Sequence, residues 1–363
     1  MRQLTFVKPK VLEWREAPEP SLEGPRQALV APVAATTCDL DRSIIKGRAP
    51  YGGPIALGHE FVAQVVEVGD GVRSVVPGDV VAVPAQISCG ECDRCRSGST
   101  AFCRTVAPTS MYGLGAVTGD WGGGFSDLVR VPFADAMLVR LPAGVSPESV
   151  AAASDNLTNA FEAIVPHLQR LPGASVLIAG VGATGFYAIQ MAKAMGAGRI
   201  DYLDHDRGRL ELAAKLGANG IKVGRDEPKA SLESQYEIAV DTRGDPDELA
   251  LLLRSLAPRG VCTSMSMYFR ETPLPLFEMM LRGVRLETTP TNIRANLREV
   301  LSLVQNGRIE PDRVTTEILS WDQLPEALAE PSMKPVFVRE VDRVGVAPSR
   351  ASEQRNADTG DVR

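Results

Sequence analysis

The chain has 363 residues, enough for two typical domains, and 44% of them are hydrophobic and 23% charged, as in an ordinary globular protein. The net charge of −6 gives no basic excess, so we expect no nucleic-acid partner. No run approaches the roughly 20 apolar residues of a membrane helix, and the polar start lacks a signal-peptide apolar stretch. The sequence therefore predicts no membrane partner and a cytoplasmic location.

The first part of the chain, up to about residue 153, is predicted to be rich in β-strands. Short valine-rich runs lie between glycine, proline and aspartate turns, at 62–68, 80–83 and 128–131. From Ser154 onward, strand-like runs alternate with helical apolar spacing. The strand-like runs are at 175–179, 199–203, 238–241 and 261–265, and the helical ones at 186–195, 207–216 and 249–256. This alternation predicts an α/β fold with a parallel sheet and right-handed crossovers.

The pattern changes again after Thr289. Helices are predicted at 294–304 and 324–329, and a last strand at 335–338. We expect this segment to rejoin the β-rich domain, which then comprises residues 1–153 and 290–343, with the parallel-sheet domain at 154–289. Residues 344–363 are polar and poor in apolar side chains, and we predict that they form a disordered tail.

Four cysteines are crowded into one short loop. They follow the spacing C-x2-C-x2-C-x7-C, at Cys89, Cys92, Cys95 and Cys103. Two-residue gaps let successive sulfur atoms point at one centre, and a closed structural zinc site needs four such ligands. Disulfides, an iron–sulfur cluster and unconnected buried cysteines are the alternatives, and the spacing favours structural zinc over all three. A closed site of this kind leaves no position for a substrate.

A glycine-rich turn follows the strand-like run at 175–179 and opens a helix, the context in which G-x-G-x-x-G binds a dinucleotide. The turn consists of Gly180, Val181, Gly182, Ala183, Thr184 and Gly185. The first glycine permits the tight turn, the second lets the backbone approach the pyrophosphate, and the third allows close packing of helix and strand. The helix N-terminus then favours the phosphate charge. The alternative is that these glycines serve packing alone.

Asp204 ends the next strand-like run, at the spacing expected for an acid that binds the adenosine ribose hydroxyls. A carboxylate there repels a 2′-phosphate, so we favour NAD over NADP as the cofactor. Arg207 and Arg209 work in the opposite direction, because a nearby arginine accepts a phosphate. The alternative for Asp204 is a helix N-cap.

Gly58-His59-Glu60 precedes an apolar run, and the segments 77–81 and 123–127 read Pro-Gly-Asp-Val-Val and Gly-Gly-Phe-Ser-Asp. Together with the cysteine cluster and the glycine turn, in this order, they resemble the zinc-containing medium-chain dehydrogenases, a superfamily of alcohol, polyol, glucose and threonine dehydrogenases. The resemblance covers roughly residues 1–340. It implies a GroES-like catalytic domain, a Rossmann domain, and a homodimer or homotetramer joined through the nucleotide domains.

The resemblance also implies a catalytic zinc, so that the chain would hold two zinc ions. Cys38 and His59 match the family's first two ligands, and Asp155 is the side chain best suited to zinc in the stretch that supplies the third. Considered singly, the three would be a small buried residue, a core histidine and a helix cap. Their occurrence together in the family order predicts a ligand set, whereas Cys262, in a predicted strand, is assigned to packing.

Two further carboxylates belong to the predicted catalytic site. Glu60 matches the family's acid that lies behind the metal or exchanges onto it. Asp41 matches the acid that hydrogen-bonds the zinc histidine and fixes its tautomer. The alternative for Asp41 is a loop acid in solvent.

The sequence departs from the family where the substrate proton should leave. Leu40 stands where alcohol dehydrogenases have a serine or threonine, and Ser43 stands where a histidine often continues the relay. Three explanations are open. A substrate hydroxyl, water or ribose could pass the proton, or it could leave by another route through Glu60, Ser43 or Asp39. Alternatively, the reaction is not a simple alcohol oxidation. We assign no catalytic role to the two remaining histidines, His167 and His205.

The expected reaction is hydride transfer between NAD(H) and an alcohol, polyol or sugar hydroxyl, or the matching carbonyl, with zinc as the Lewis acid. Leu40 is expected to shape the pocket for this small-molecule substrate, while Trp121 fits either the pocket or loop packing. A redox-neutral or lyase-type reaction on the same scaffold is one alternative. A non-catalytic nucleotide-binding protein is the other.

Overall fold

The computed structural model describes residues 1–224, 231–330 and 332–340. Their first unit is built mainly on antiparallel strands, with one parallel pair. A small sheet has the order β2-β1-β4, and a larger sheet has the order β15-β16-β3-β5-β6-β8, with β7 paired to β3. The strands are β1 (Arg2–Lys8), β2 (Val11–Glu16), β3 (Ala28–Thr36), β4 (Ile55–Ala56), β5 (Glu60–Val68), β6 (Val80–Val83), β7 (Val129–Val131), β8 (Val139–Arg140), β15 (Glu317–Ser320) and β16 (Pro335–Val338). The helices of this unit are α1 (Asp39–Ile45), α2 (Asp93–Arg96), α3 (Ala134–Met137) and α10 (Leu324–Ala329).

The second unit is a parallel sheet with the order β11-β10-β9-β12-β13-β14. Its strands are β9 (Ser175–Gly180), β10 (Arg199–Asp204), β11 (Asn219–Lys222), β12 (Tyr236–Thr242), β13 (Leu256–Ser264) and β14 (Arg285–Thr288). Its helices are α4 (Asn156–Arg170), α5 (Ala183–Ala194), α6 (Arg207–Leu216), α7 (Pro246–Arg254), α8 (Leu276–Arg282) and α9 (Ile293–Gln305). The strand order reverses beside β9, which is the doubly wound Rossmann arrangement with its ligand crevice at the reversal.

The alternating pattern after Ser154 therefore predicted the parallel sheet correctly, with local errors. The helix expected at 249–256 begins earlier, at Pro246, because Asp245 caps it and Pro246 stands in its first turn. The strand expected at 261–265 begins at Leu256. α8, β11 and β14 were not predicted from the sequence, since all three are short and mostly exposed.

The chain after α9 returns to the first unit. β16 pairs antiparallel with β3, and β15 pairs with β16. β3 lies at the centre of the sheet and is buried along its whole length, which explains its small and β-branched residues. The domain boundaries proposed from the sequence stay a prediction, and the tail at 344–363 lies outside the described residues.

The two units enclose a cleft of about 700 Å³. The carboxyl ends of β12 and β13, the start of α5 and loops of the first unit open into it. None of the helices in the described ranges is long and apolar enough to cross a bilayer.

Candidate functional site

Three proposed zinc ligands from distant parts of the chain meet in this cleft. Cys38 follows β3 and is the N-cap of α1, His59 immediately precedes β5, and Asp155 immediately precedes α4. Cys38 Sγ lies 3.0 Å from His59 Nε2, which lies 3.6 Å from Asp155 Oδ2. Thiolate, imidazole and carboxylate atoms that all lie within 4.8 Å of one another fit the ligand separations of a tetrahedral zinc ion.

Asp155 is oriented by two amides. Its Oδ2 accepts from Asn156 Nδ2 at 3.0 Å, and its Oδ1 accepts from Asn159 Nδ2 at 3.1 Å. Although Asp155 occupies the N-cap position of α4, its side chain makes no capping hydrogen bond to the described backbone. The carboxylate is therefore turned toward Cys38 and His59 rather than toward the helix.

Asp41 supports the histidine from the side opposite the ligand cluster. Asp41 Oδ1 and His59 Nδ1 lie 3.4 Å apart, both are buried, and neither has another hydrogen-bond partner among the described residues. Asp41 Oδ2 accepts from the Cys38 backbone N–H at 3.0 Å, so the acid also fixes the start of α1. A proton held on Nδ1 beside Asp41 leaves Nε2 free for a metal ion.

Cys38 and His59 both have pKa values above their usual ones. Burial raises the pKa of the Cys38 thiol to about 12. Burial alone would lower the pKa of His59, but the charges of Asp41 and Cys38 outweigh it, and that pKa lies well above its usual value. A zinc ion would take the place of these protons, so zinc binding at this site should release protons.

Glu60 lies behind the cluster and is fully buried. Its Oε1 accepts from the Asn156 backbone N–H at 2.9 Å, and its Oε2 accepts from Lys334 Nζ at 2.5 Å. Burial raises the pKa of Glu60 to about 7 although Lys334 lowers it. Both carboxylate oxygens are thus engaged by protein groups. Lys334 was not identified from the sequence, because it lies 274 residues from Glu60 and belongs to no local motif.

The four-cysteine loop forms a second compact cluster. The sulfur atoms of Cys89, Cys92, Cys95 and Cys103 all lie within 4.8 Å of one another. Backbone N–H groups of the loop point at these sulfurs, among them Cys92 N to Cys89 Sγ at 3.4 Å and Cys95 N to Cys92 Sγ at 3.5 Å. All six cysteines of the chain are described as free thiols, so disulfides do not explain the cluster.

The glycine turn has the close contacts that its sequence predicts. Gly180 ends β9, Gly182 is the N-cap of α5, and Ala183 and Thr184 begin that helix after Val181. A Cβ on Gly180 would lie 2.1 Å from Thr242 Oγ1, and one on Gly185 would lie 3.2 Å from the same atom. A side chain at either position would therefore crowd Thr242 of β12, most severely at Gly180.

Gly182 faces the other unit. A Cβ at this position would lie 1.6 Å from Asp39 Oδ2. The Asp39 carboxylate is about half exposed at 47%, and Arg42 Nη1 donates to its Oδ1 at 3.3 Å. Asp39 thus places a negative charge where the positive end of α5 favours an anion.

Asp204 is completely buried at the end of β10. Arg209 donates to both of its oxygens, at 2.7 and 2.8 Å, and the backbone N–H groups of His205 and Asp206 also donate to it. Burial raises the pKa of Asp204, but these donors outweigh it and bring the value to about 2. Asp206, and not Asp204, caps α6. Arg207 pairs with Glu211 at the surface and lies apart from this cluster.

The wall of the cleft beside the ligand cluster is mixed in character. Leu40 lines it as expected, together with Ser43 and Tyr51. Tyr51 was not identified from the sequence because no motif marks it. Trp121 is not among the described residues that line the cleft, and it packs against the core of the first unit. This location agrees with loop packing.

The other residues without an assigned role lie elsewhere. His167 contacts Thr263 Oγ1 at 3.0 Å from its place on α4, and His205 lies beside Asp204. Cys262 is fully buried in β13.

Comparisons with known proteins agree with this geometry. Residues 24–143 match the alcohol dehydrogenase GroES-like domain family, and residues 183–306 match the zinc-binding dehydrogenase family. A probable zinc-binding alcohol dehydrogenase of Mycobacterium tuberculosis is 30% identical over 318 residues, which cover 86% of this chain and 80% of that protein.

Solved structures give the same result. The alcohol dehydrogenase of Thermus sp. ATN1 has a TM-score of 0.85 and 29% identity, covering 93% of this chain and 99% of its own. A structure described as an NAD-dependent alcohol dehydrogenase has a TM-score of 0.78 and 26% identity, covering 94% of this chain and all of its own.

Proposed function

The chain belongs to the zinc-containing medium-chain dehydrogenase superfamily and is a zinc-dependent oxidoreductase, and from that premise we propose that it exchanges hydride between NAD(H) and an alcohol, polyol or sugar hydroxyl or the matching carbonyl. One observation carries the proposal. The ligand cluster of Cys38, His59 and Asp155 and the dinucleotide turn at Thr184 line the same cleft. A substrate held at the first would therefore face a nicotinamide held by the second.

Different residues would have different roles in this reaction. Cys38, His59 and Asp155 would hold a zinc ion, which as a Lewis acid lowers the pKa of a bound hydroxyl. Asp41 keeps Nε2 of His59 available, as described above. Leu40 covers one side of the substrate position and excludes water there, while the turn at the start of α5 holds the pyrophosphate.

We propose that Tyr51 carries the proton that Leu40 cannot. Glu60 is engaged on both oxygens and Asp39 faces the glycine turn, so neither is well placed for this role. Tyr51 lines the cleft, so its side chain is placed on the wall that the substrate would face. It is close enough to His59 and Cys38 for their charges to affect its pKa, which burial raises. Ser43, on the same wall, is the second hydroxyl available.

NAD is the proposed cofactor because a carboxylate, Asp204, stands at the end of β10. Arg209 donates to both carboxylate oxygens of Asp204. The ribose hydroxyls would therefore bind Asp204 by replacing one of these two hydrogen bonds. The relative described as NAD-dependent supports the same choice.

We further propose a homodimer, or a homotetramer built from it, joined through the nucleotide domains. On α8, four large apolar side chains are 65–68% exposed, namely Leu276, Phe277, Met280 and Leu281. The adjacent β14 is an edge strand whose outer side pairs with no strand of the described ranges. A second copy would cover both features, since an uncovered edge and an apolar face favour association. Light scattering should show a dimer or tetramer, and Leu281→Asp should shift it toward monomer.

A metal assay and a substrate panel test the proposed reaction. Two zinc ions per chain are expected, one in each cluster, together with NADH formation on members of an alcohol, polyol and sugar panel. Full zinc occupancy and nucleotide binding without any turnover would favour the redox-neutral or lyase-type alternative, which Leu40 motivates. One zinc per chain would favour the non-catalytic alternative. A cytoplasmic location is also proposed, because free, clustered cysteines suit a reducing compartment.

A further inference from the structure

Among the lysines and arginines of the described residues, Lys334 is the most deeply buried. It immediately precedes β16, and only 1% of its surface is exposed. Lysine is almost never buried to this extent unless partners compensate the loss of hydration. The partners of this ammonium group therefore indicate its role.

Three acceptors surround the Lys334 ammonium group. Nζ donates to the Thr37 carbonyl oxygen at 2.7 Å, to Glu60 Oε2 at 2.5 Å and to Asn156 Oδ1 at 2.9 Å. An ammonium group has three donors, and all three are used. Glu60 Oε1 also accepts from the Asn156 backbone N–H at 2.9 Å, which closes a ring of contacts around the lysine.

Each acceptor is the chain neighbour of a proposed zinc ligand. Cys38 follows the first acceptor, His59 precedes the second, and Asp155 precedes the third. These ligands come from three separate segments, of which the first two are 21 residues apart. One ammonium group thus touches every segment that brings a ligand to the cluster.

We propose that Lys334 is a positioning residue that holds the three ligand-bearing segments together and so sets the zinc affinity of the cleft site. Glu60 then serves as the counter-ion of Lys334 rather than as a metal ligand. The inference rests on the proposed ligand set. Its physical basis is that the ligand distances of a zinc site lie within about 0.2 Å of standard values, so loosely held segments would lower the affinity.

The test uses the full-length, zinc-loaded protein and three variants. Lys334→Met removes the ammonium group, and Lys334→Arg keeps the charge but changes the geometry of its donors. Arg339→Met is the matched control. Arg339 is also a buried cation beside β16, and it donates to the Pro32 and Ser126 carbonyl oxygens and to Asp127, none of which is a chain neighbour of a proposed ligand.

Zinc per chain is measured during titration with a chelator, and the cysteine-loop zinc serves as an internal reference. In Lys334→Met, the affinity of the cleft zinc should fall by roughly 10- to 100-fold, as for other groups that support metal ligands, while the loop zinc is retained. Lys334→Arg should lie between this variant and the wild type. Arg339→Met should lower the melting temperature but leave both zinc affinities unchanged.

Wild-type affinity of the cleft zinc in both Lys334 variants would overturn the inference. So would an equal loss of both zinc ions in Lys334→Met and Arg339→Met, because that result would mark a general loss of folding. If Lys334→Met does not fold, Lys334→Arg decides by the same criterion. A wild-type protein that binds zinc only in the cysteine loop would instead refute the ligand set itself, and with it the proposed function.

Discussion

Replacing Asp155 by Ala should cost the protein one of its two expected zinc ions. The substitution removes the carboxylate from three ligand atoms that lie within 4.8 Å of one another. It leaves Cys38 Sγ and His59 Nε2, which lie 3.0 Å apart, as a site with two protein ligands. Zinc sites with four protein ligands bind with about 10–16 kcal/mol at neutral pH, which is about 3 kcal/mol per ligand. The cleft site should therefore weaken by roughly a hundredfold or more.

The assay is zinc content per chain during chelator titration, with NADH formation followed in parallel. Asn159→Ala is the matched control, because Asn159 donates to Asp155 Oδ1 at 3.1 Å but supplies no ligand atom. The control should lose less cleft-zinc affinity than Asp155→Ala and still bind two zinc ions, whereas Asp155→Ala should keep one and lose NADH formation. Two tightly held zinc ions in Asp155→Ala would refute the reasoning and show that another residue completes the cleft site.

Three further substitutions test the cofactor and proton assignments. Asp204→Ala should weaken NAD binding and shift the NAD-to-NADP affinity ratio by roughly tenfold, since it frees Arg209 for a 2′-phosphate; an unchanged ratio in a binding titration would contradict the assignment. Tyr51→Phe should lower kcat by roughly 10²- to 10⁴-fold with unchanged NADH binding if its hydroxyl handles the substrate proton, so a wild-type kcat would exclude that role. Asp39→Asn should tighten NADH binding several-fold, because the carboxylate lies against Gly182, where the pyrophosphate is expected. Added salt should reduce the difference in the NADH dissociation constant between Asp39→Asn and the wild type. Equal dissociation constants of the two proteins at low salt would contradict this prediction.

The features that could be predicted from the sequence are those whose chemistry is local. The glycine turn is six consecutive residues, and the cysteine cluster lies within one loop, so spacing alone indicates what each can bind. The alternation of strands and helices is local in the same sense. It predicted the parallel sheet, which the structure and the family matches confirm.

The features that sequence analysis missed depend on contacts between distant segments. β14 and α8 are short and largely exposed among the described residues. Their sequences therefore show no apolar period of the kind that a buried face requires. Tyr51 belongs to no sequence motif. It is identified only by its position in the cleft that distant segments form. For Asp204, the sequence indicated a carboxylate at the right place but not that Arg209 would cover it.

The two proposed metal sites differ in the same respect, and the difference affects how each site is assembled. The cysteine cluster closes a loop of fifteen residues, whereas the cleft cluster joins Cys38, His59 and Asp155 and is braced by Lys334 from the end of the described chain. Loop-closure entropy rises with the length of chain enclosed, so the cleft cluster costs more to assemble and depends on packing that is already complete. Because the pairing of β16 with β3 holds Lys334 beside its acceptors, the proposed catalytic site depends on the whole fold of this unit. A local motif search therefore identifies its ligands singly but cannot identify the residue that holds them together.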